Sequence, residues 1–205
     1  MGKIGLLTIH DTLNYGSLLQ TYALYKAIES LGKDIELIDY KCKAIVDRET
    51  TYSLKDCRSV KDVVKSLMWH GAMQRKYDNF WNFMQKNMKL TETYTKESIK
   101  KANDIFDTFV VGSDIVWGTG ITGKDWTYFL DFAEDNKKKI AFSSSVGTKW
   151  ENEDREKVIK YLQRFDAISV REELAQQWIK DMGIDVQVTC DPTMLWGSDF
   201  WENMI

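Results

Sequence analysis

Asp107-Thr108-Phe109-Val110-Val111-Gly112-Ser113-Asp114-Ile115-Val116-Trp117 is the stretch on which the fold turns. Its apolar run, Phe109 to Val111, is too short for a helix and is bounded by turn formers. It therefore reads as a buried strand that breaks at Gly112 into a loop presenting Ser113 and Asp114. In open α/β sheets, ligands bind outside the carboxyl ends of the strands. The strand carries the fold, and the loop after it carries the chemistry.

On the amino-terminal side, residues 3–9 read as a first, central strand that ends at His10. The loop Asp11-Thr12-Leu13-Asn14-Tyr15-Gly16 leads into a helix predicted over residues 17–31. Its Leu18, Leu19, Tyr22, Ala23 and Ile28 suit close packing on a sheet. Gly32 stops that helix and residues 35–40 supply a second strand, giving a right-handed βαβ unit. Residues 41–59 are polar and aperiodic. Helical spacing returns with Val60, Val63, Val64 and Leu67, then with Tyr77, Trp81, Met84 and Met88 widened by Phe80 and Phe83, which predicts an inserted pair of amphipathic helices. A short helix at residues 96–102 leads back to the quoted strand.

On the carboxyl-terminal side, residues 118–123 read as a flexible glycine-rich loop that could gate a site, and residues 126–132 as a short edge strand. Lys139-Ile140-Ala141-Phe142 is a further strand, ending in Ser143-Ser144-Ser145. A helix follows with Glu151, Glu153 and Asp154 in its first turn and Val158, Ile159, Leu162 and Phe165 facing inward. Next come a strand at 167–170, a helix at 172–182 with Leu174, Trp178 and Ile179 inward, a strand at 186–189 and a turn at Asp191-Pro192. This alternation predicts an α/β domain with a doubly wound, mostly parallel sheet, interrupted by a helical insertion at residues 41–103.

Composition narrows the function classes. A chain of 205 residues with 43% hydrophobic content and a formal charge of -3 suits one globular domain. No stretch is apolar for long enough to span a bilayer and no leader pattern opens the chain, so the expected location is the cytoplasm. Cys42, Cys57 and Cys190 are widely spaced and odd in number, which fits reduced thiols. Two histidines and no Cys-x-x-Cys argue against zinc, and no metal or cofactor is expected. The absence of a basic block beside an aromatic platform argues against nucleic acid.

In a parallel sheet the loops after each strand share one edge, and here they are rich in polar groups. Asn14, Tyr15 and Gly16 offer backbone donors at a helix start, or simply make the turn. Asp114 is placed to act as a base toward a hydroxyl, or to cap its own loop, with Gly112, Ser113 and Trp117 beside it. Arg171 can fork onto a phosphate or carboxylate, or pair with Glu172 or Glu173. His10 can titrate, or serve as a hydrogen-bonded structural residue. Ser143 and Ser144 add hydroxyls, but the serine run lacks a nucleophile elbow and a paired histidine, which discounts serine-hydrolase chemistry. Such a set suits a polyhydroxylated or anionic ligand.

These residues also form a recognisable series: Lys3-Ile4-Gly5, Asn14-Tyr15-Gly16-Ser17-Leu18-Leu19-Gln20, Val111-Gly112-Ser113-Asp114 with Val116-Trp117, Tyr128-Phe129-Leu130-Asp131-Phe132, Phe165-Asp166-Ala167-Ile168-Ser169-Val170-Arg171-Glu172, and Asp191-Pro192-Thr193. In that order the chain resembles the polysaccharide pyruvyl transferase family. The resemblance implies a Rossmann-like domain, as in the amino-terminal domain of B-type glycosyltransferases. It also implies an enzyme of exopolysaccharide biosynthesis that transfers a pyruvyl group from phosphoenolpyruvate to two sugar hydroxyls as a ketal. By position, Asp114 would be the base, Arg171 an anion contact, and Asn14 with Ser113 acceptor contacts. The acceptor would be a sugar or a lipid-linked oligosaccharide. Family members usually carry glutamine where this chain has Ile115, and they continue into a second α/β domain, so the chain is expected to form the acceptor-side half of a cleft. The face where that domain would dock is then open to self-association. A sugar- or partner-binding module without catalysis, and an enzyme using a nucleotide sugar, are the alternative readings.

Overall fold

Alternate residues of the central strands go to opposite sides of the sheet. Leu6 and Val110 pack into one apolar cluster, and Leu7, Phe109 and Val111 into another. Burial of each such side chain contributes about 2 kcal/mol, which fixes the register because a one-residue slip would exchange the two faces. In a computed structural model, which describes residues 2–49 and 59–204, the chain forms a six-stranded sheet whose pairings are all parallel. Its elements are β1 (Ile4–Leu7), α1 (Tyr15–Ser30), β2 (Ile35–Leu37), α2 (Lys43–Glu49), α3 (Val60–Asn87), β3 (Thr108–Val111), α4 (Thr119–Thr122), β4 (Lys138–Ser144), α5 (Arg155–Leu162), β5 (Ala167–Val170), α6 (Glu173–Lys180), β6 (Gln187–Val188) and α7 (Ser198–Glu202). The strand order is β2-β1-β3-β4-β5-β6. The chain winds one way from β1 to β2 and the other way from β3 onward, so a switch point lies between β1 and β3. A doubly wound sheet opens its ligand crevice at that place.

Several local readings of the sequence are corrected by the structure. The predicted pair of inserted helices is one continuous helix, α3. Its only interruption is Gly71, which costs about 1 kcal/mol in a helix interior and does not break it. Phe80 and Met84 of α3 and Met88 just after it are buried, whereas Val60 is 81% exposed and does not join the core. The polar excursion lies partly outside the described residues, as does Cys57. Residues 126–132 contain no strand: Asp125 caps a 3-10 turn, Trp126–Phe129, and Leu130 turns left-handed with φ 54°. Trp126, Tyr128 and Phe129 are all buried there, where a strand would have alternated. The glycine-rich loop after Trp117 contains the short helix α4, closed by Gly123 at φ 64°. The short helix predicted before β3 is a 3-10 turn at Ile99–Asp104. In α6, Ala175 and Ile179 set the buried face one turn apart, which leaves Leu174 exposed. None of the described helices is long and apolar enough to cross a membrane.

At the end of β3 the backbone of β4 comes close to Gly112. Gly112 has φ 137°, and a Cβ there would lie 2.0 Å from the Phe142 carbonyl oxygen. Only glycine fits that conformation and that space. Gly112→Ala is expected to cost about 2–4 kcal/mol, read as a lowered urea midpoint with an unchanged m-value.

Candidate active-site cleft

Three adjacent groups of residues build the cleft. The first is the amino-terminal turn of α1. Asn14 caps it by accepting a hydrogen bond from the Gly16 amide at 2.8 Å. Ser17 and Gln20, three residues apart, then share one face of the helix. The second is the loop after β3. The amide and hydroxyl of Ser113 both donate to Gln20 Oε1, at 3.0 and 2.8 Å. The Gln20 amide nitrogen lies 3.1 Å from Thr8 Oγ1, 2.9 Å from the Ser17 carbonyl oxygen and 2.8 Å from Thr21 Oγ1. Asp114 Oδ1 accepts from the Ile115 amide at 2.7 Å, and its Oδ2 accepts from the Ser17 hydroxyl. The Ser145 amide donates to the carbonyls of both Ser113 and Asp114, at 3.1 and 3.0 Å, so the chain leaving β4 braces the loop from the other side.

The third group is the end of β5 with the turn after β6. Arg171 Nη1 donates to Asp191 Oδ2 at 2.8 Å, and its Nε lies 3.5 Å from Glu172 Oε1. Burial works against the Arg171 charge, but Asp191, Glu172 and Asp114 outweigh it and raise the guanidinium above its usual range. Burial likewise opposes the Asp191 charge. The amide and hydroxyl of Thr193, with Arg171, override it and hold Asp191 below the usual carboxylate range. Together these elements enclose a cleft of about 500 Å³ lined by Asn14, Gly16, Ser17, Asp114, Arg171 and Asp191, among others.

That geometry comes with a sequence match. The family model described as polysaccharide pyruvyl transferase matches residues 14–203. The chain belongs to the polysaccharide pyruvyl transferase family. The matched span of this pyruvyl transferase family member includes all the residues just named as lining the cleft. A search of curated proteins gave no significant match. One solved structure, an alpha-glucosyltransferase in complex with UDP and a 13-mer DNA containing a HMU base, aligns with 10% identity and a TM-score of 0.44. The alignment covers 93% of this chain and 42% of that one, so the chain spans less than half of that protein's length.

Of the residues singled out from sequence, the structure brings Asn14, Gly16, Asp114 and Arg171 together on the cleft. Tyr15 stands beside it, 61% exposed, edge-on to Phe80 at 4.7 Å and under the Lys76 ammonium at 4.6 Å. Glu172 sits behind Arg171 and accepts hydrogen bonds from the Ser145 hydroxyl and the Val146 amide. The others are not on the cleft wall. Trp117 is fully buried, stacked on Phe129 at 5.5 Å, with its indole N–H on the Tyr128 carbonyl. Ser143 donates to the Cys190 carbonyl at 2.9 Å and Ser144 to the Val111 carbonyl at 3.1 Å, so both hydroxyls tie strands together. Gly112 and Ser113 are buried supports of the Asp114 loop.

His10 is also buried, with Nε2 3.0 Å from Asp39 Oδ1 and Nδ1 3.2 Å from the Thr8 carbonyl oxygen. It ties the end of β1 to the end of β2. Ser17, Gln20 and Trp201 also line the cleft, although the sequence pattern does not single them out, and Asp191 and Thr193, which it marks only as members of a loop, line it too. The helical spacing of Ser17 and Gln20 was a usable signal, but their polar groups were hidden among the leucines of an apolar helix. Among the described residues, the carboxylates near enough to share a cation are Glu151, Glu153 and Asp154, and the Lys124 ammonium already lies 2.8, 2.7 and 2.9 Å from them.

Asp39 gives the fold a measurable pH signature. Burial alone would raise its pKa. The hydrogen bonds from His10 and Thr93 and the nearby Lys41 charge override burial and bring it down to about 2. A depressed native value adds stability that is present above the unfolded-state value near 4 and lost as pH falls through about 2. Asp39→Asn is expected to remove a stabilisation on the order of 1–2 kcal/mol at neutral pH, allowing for solvent screening, and to flatten the loss of stability between about pH 4 and 2. Urea midpoints measured across that window check both effects.

Proposed function

We propose that the cleft receives the sugar acceptor of a pyruvyl transfer from phosphoenolpyruvate, with Asp114 as the group that orients and deprotonates an attacking hydroxyl. The observation that carries this reading is the Asp114 carboxylate, which is fixed from both sides by Ser17 and Ile115 at the mouth of the switch-point crevice. Each carboxylate oxygen keeps a lone pair for a substrate hydroxyl. The charge balance of the lining supports a neutral polyol. Arg171 is committed to Asp191 and Glu172, so it leaves little positive charge for a trianionic donor.

In the reaction, a proton is added to the methylene carbon of the donor and C2 develops positive charge. One sugar hydroxyl attacks C2 and loses its proton to the base. A second hydroxyl then displaces phosphate at C2 and gives up its proton to the departing phosphate, which closes the cyclic ketal and releases inorganic phosphate. Asp114 suits the hydroxyl side of this sequence. The donor's phosphate and carboxylate call for cations facing the cleft from outside this lining, on a further domain or another chain. A cytoplasmic setting goes with this reading, because phosphoenolpyruvate is a cytoplasmic metabolite. A sugar of an exopolysaccharide, free or lipid-linked, is the acceptor class, and no resident cofactor takes part.

Phosphate release from phosphoenolpyruvate in the presence of a sugar panel tests the activity, using this chain alone and together with any catalytic partner domain. Asp114→Asn is expected to lower kcat by roughly 10²–10⁴-fold with an unchanged circular-dichroism spectrum. Unchanged turnover would remove Asp114 from the chemistry, and consumption of a nucleotide sugar in place of phosphoenolpyruvate would overturn the donor assignment.

A further inference from the structure

The lining of the cleft is of two kinds. Most of it is polar, with the Ser17 and Thr193 hydroxyls, the Asn14 amide, the Asp114 and Asp191 carboxylates and the Arg171 guanidinium. The apolar part comes from Leu19 of α1 and Trp201 of α7, and Trp201 is the one aromatic residue in the lining among the described residues. At about 500 Å³ the cleft falls within the range of small-molecule sites, about 300–1,000 Å³.

The indole of Trp201 is held in place by a train of ring contacts that starts on α1. Trp196 Nε1 donates to the Ala23 carbonyl at 3.0 Å, which ties the segment before α7 to the middle of α1. Phe200 stacks on Trp196 at 4.0 Å with planes 13° apart, and on Tyr22 of α1 at 5.5 Å with planes 26° apart. Trp201 meets Phe200 at 5.0 Å with planes 85° apart. These contacts position α7 before any ligand arrives, so no ordering cost falls on binding. Trp201 itself is only partly buried, and no ring among the described residues is stacked parallel to its indole.

A pyranose is amphipathic in a matching way. Its equatorial hydroxyls radiate close to the ring plane, while its axial C–H bonds form an apolar face whose hydrogens carry a slight positive charge. The face of an indole is large, apolar and slightly negative, and so complements that C–H face. An open-chain polyol offers the same hydroxyls but no rigid face. Resting on the acceptor reading of the cleft, we propose that Trp201 is its specificity-determining residue: the indole stacks on the C–H face of a pyranose, presents the sugar's hydroxyls to the polar lining that includes Asp114, and selects cyclic over open-chain acceptors. An axial hydroxyl on the stacked face is disfavoured, because it would be buried against the ring without a partner.

Ligand-observed NMR titrations on the full chain test this, using methyl pyranosides of glucose, galactose and mannose beside sorbitol, galactitol and mannitol. The wild type is expected to bind at least one pyranoside, and to bind the matching alditol about tenfold more weakly. Trp201→Ala and Trp201→Leu are each expected to weaken that pyranoside about tenfold with an unchanged circular-dichroism spectrum, and Trp201→Leu keeps apolar bulk, so it separates stacking from filling. Trp201→Phe is expected to stay within about threefold of the wild type while losing the sugar-induced change in tryptophan emission. A pyranoside bound equally by the wild type and Trp201→Leu, or an alditol bound as tightly as its pyranoside, overturns the role of Trp201 and leaves the acceptor reading standing. A wild type that binds none of the pyranosides overturns both.

Discussion

The side-chain amide of Gln20 is the joint on which the cleft depends. Its oxygen takes both donors of Ser113, and its nitrogen reaches Thr8 at the end of β1 and the carbonyl of Ser17 one turn back in α1. At 3% exposure, each of these groups would be costly to leave unpaired, so the joint is made completely or not at all. It binds the strand before the switch point, the helix beside it and the loop after β3 into one body. Asp114 inherits its position from that body, through Ser17 on one side and the Ser145 amide on the other.

The chemistry of the cleft follows from how its charges are spent. Arg171 sits among Asp191, Glu172 and Asp114, and this surrounding carboxylate charge holds the guanidinium in its charged form while offsetting its positive charge. What the lining offers is a set of fixed hydroxyl, amide and carboxylate groups with little net positive charge.

Much of the fold was legible in the sequence because parallel strands buried on both faces are written as short apolar runs, and β1, β3, β4 and β5 each have one. The site was legible at Asn14, Gly16, Asp114 and Arg171, since polar residues ending such runs must lie at one edge of a parallel sheet. Trp117, Ser143 and Ser144 share that sequence signature, yet their side chains turn inward to the Phe129 ring and to strand carbonyls. A loop's composition does not say which of its side chains points out. The aromatic stretch after Trp117 misled for a related reason: Trp126, Tyr128 and Phe129 resemble a strand by propensity, but the cap at Asp125 and the left-handed Leu130 turn them into a knot around Trp117.

By itself the sequence determined the six strands of the sheet in their chain order, the edge where polar loops gather and the family. Periodicity and turn residues are local properties, and the family's motifs are spread along nearly the whole chain. Tertiary structure alone decided that His10 belongs to Asp39, that Gln20 holds Ser113 and that α3 is one helix. Each of these depends on groups far apart in the chain meeting at hydrogen-bond or van der Waals distance, or failing to meet. No local pattern carries that information.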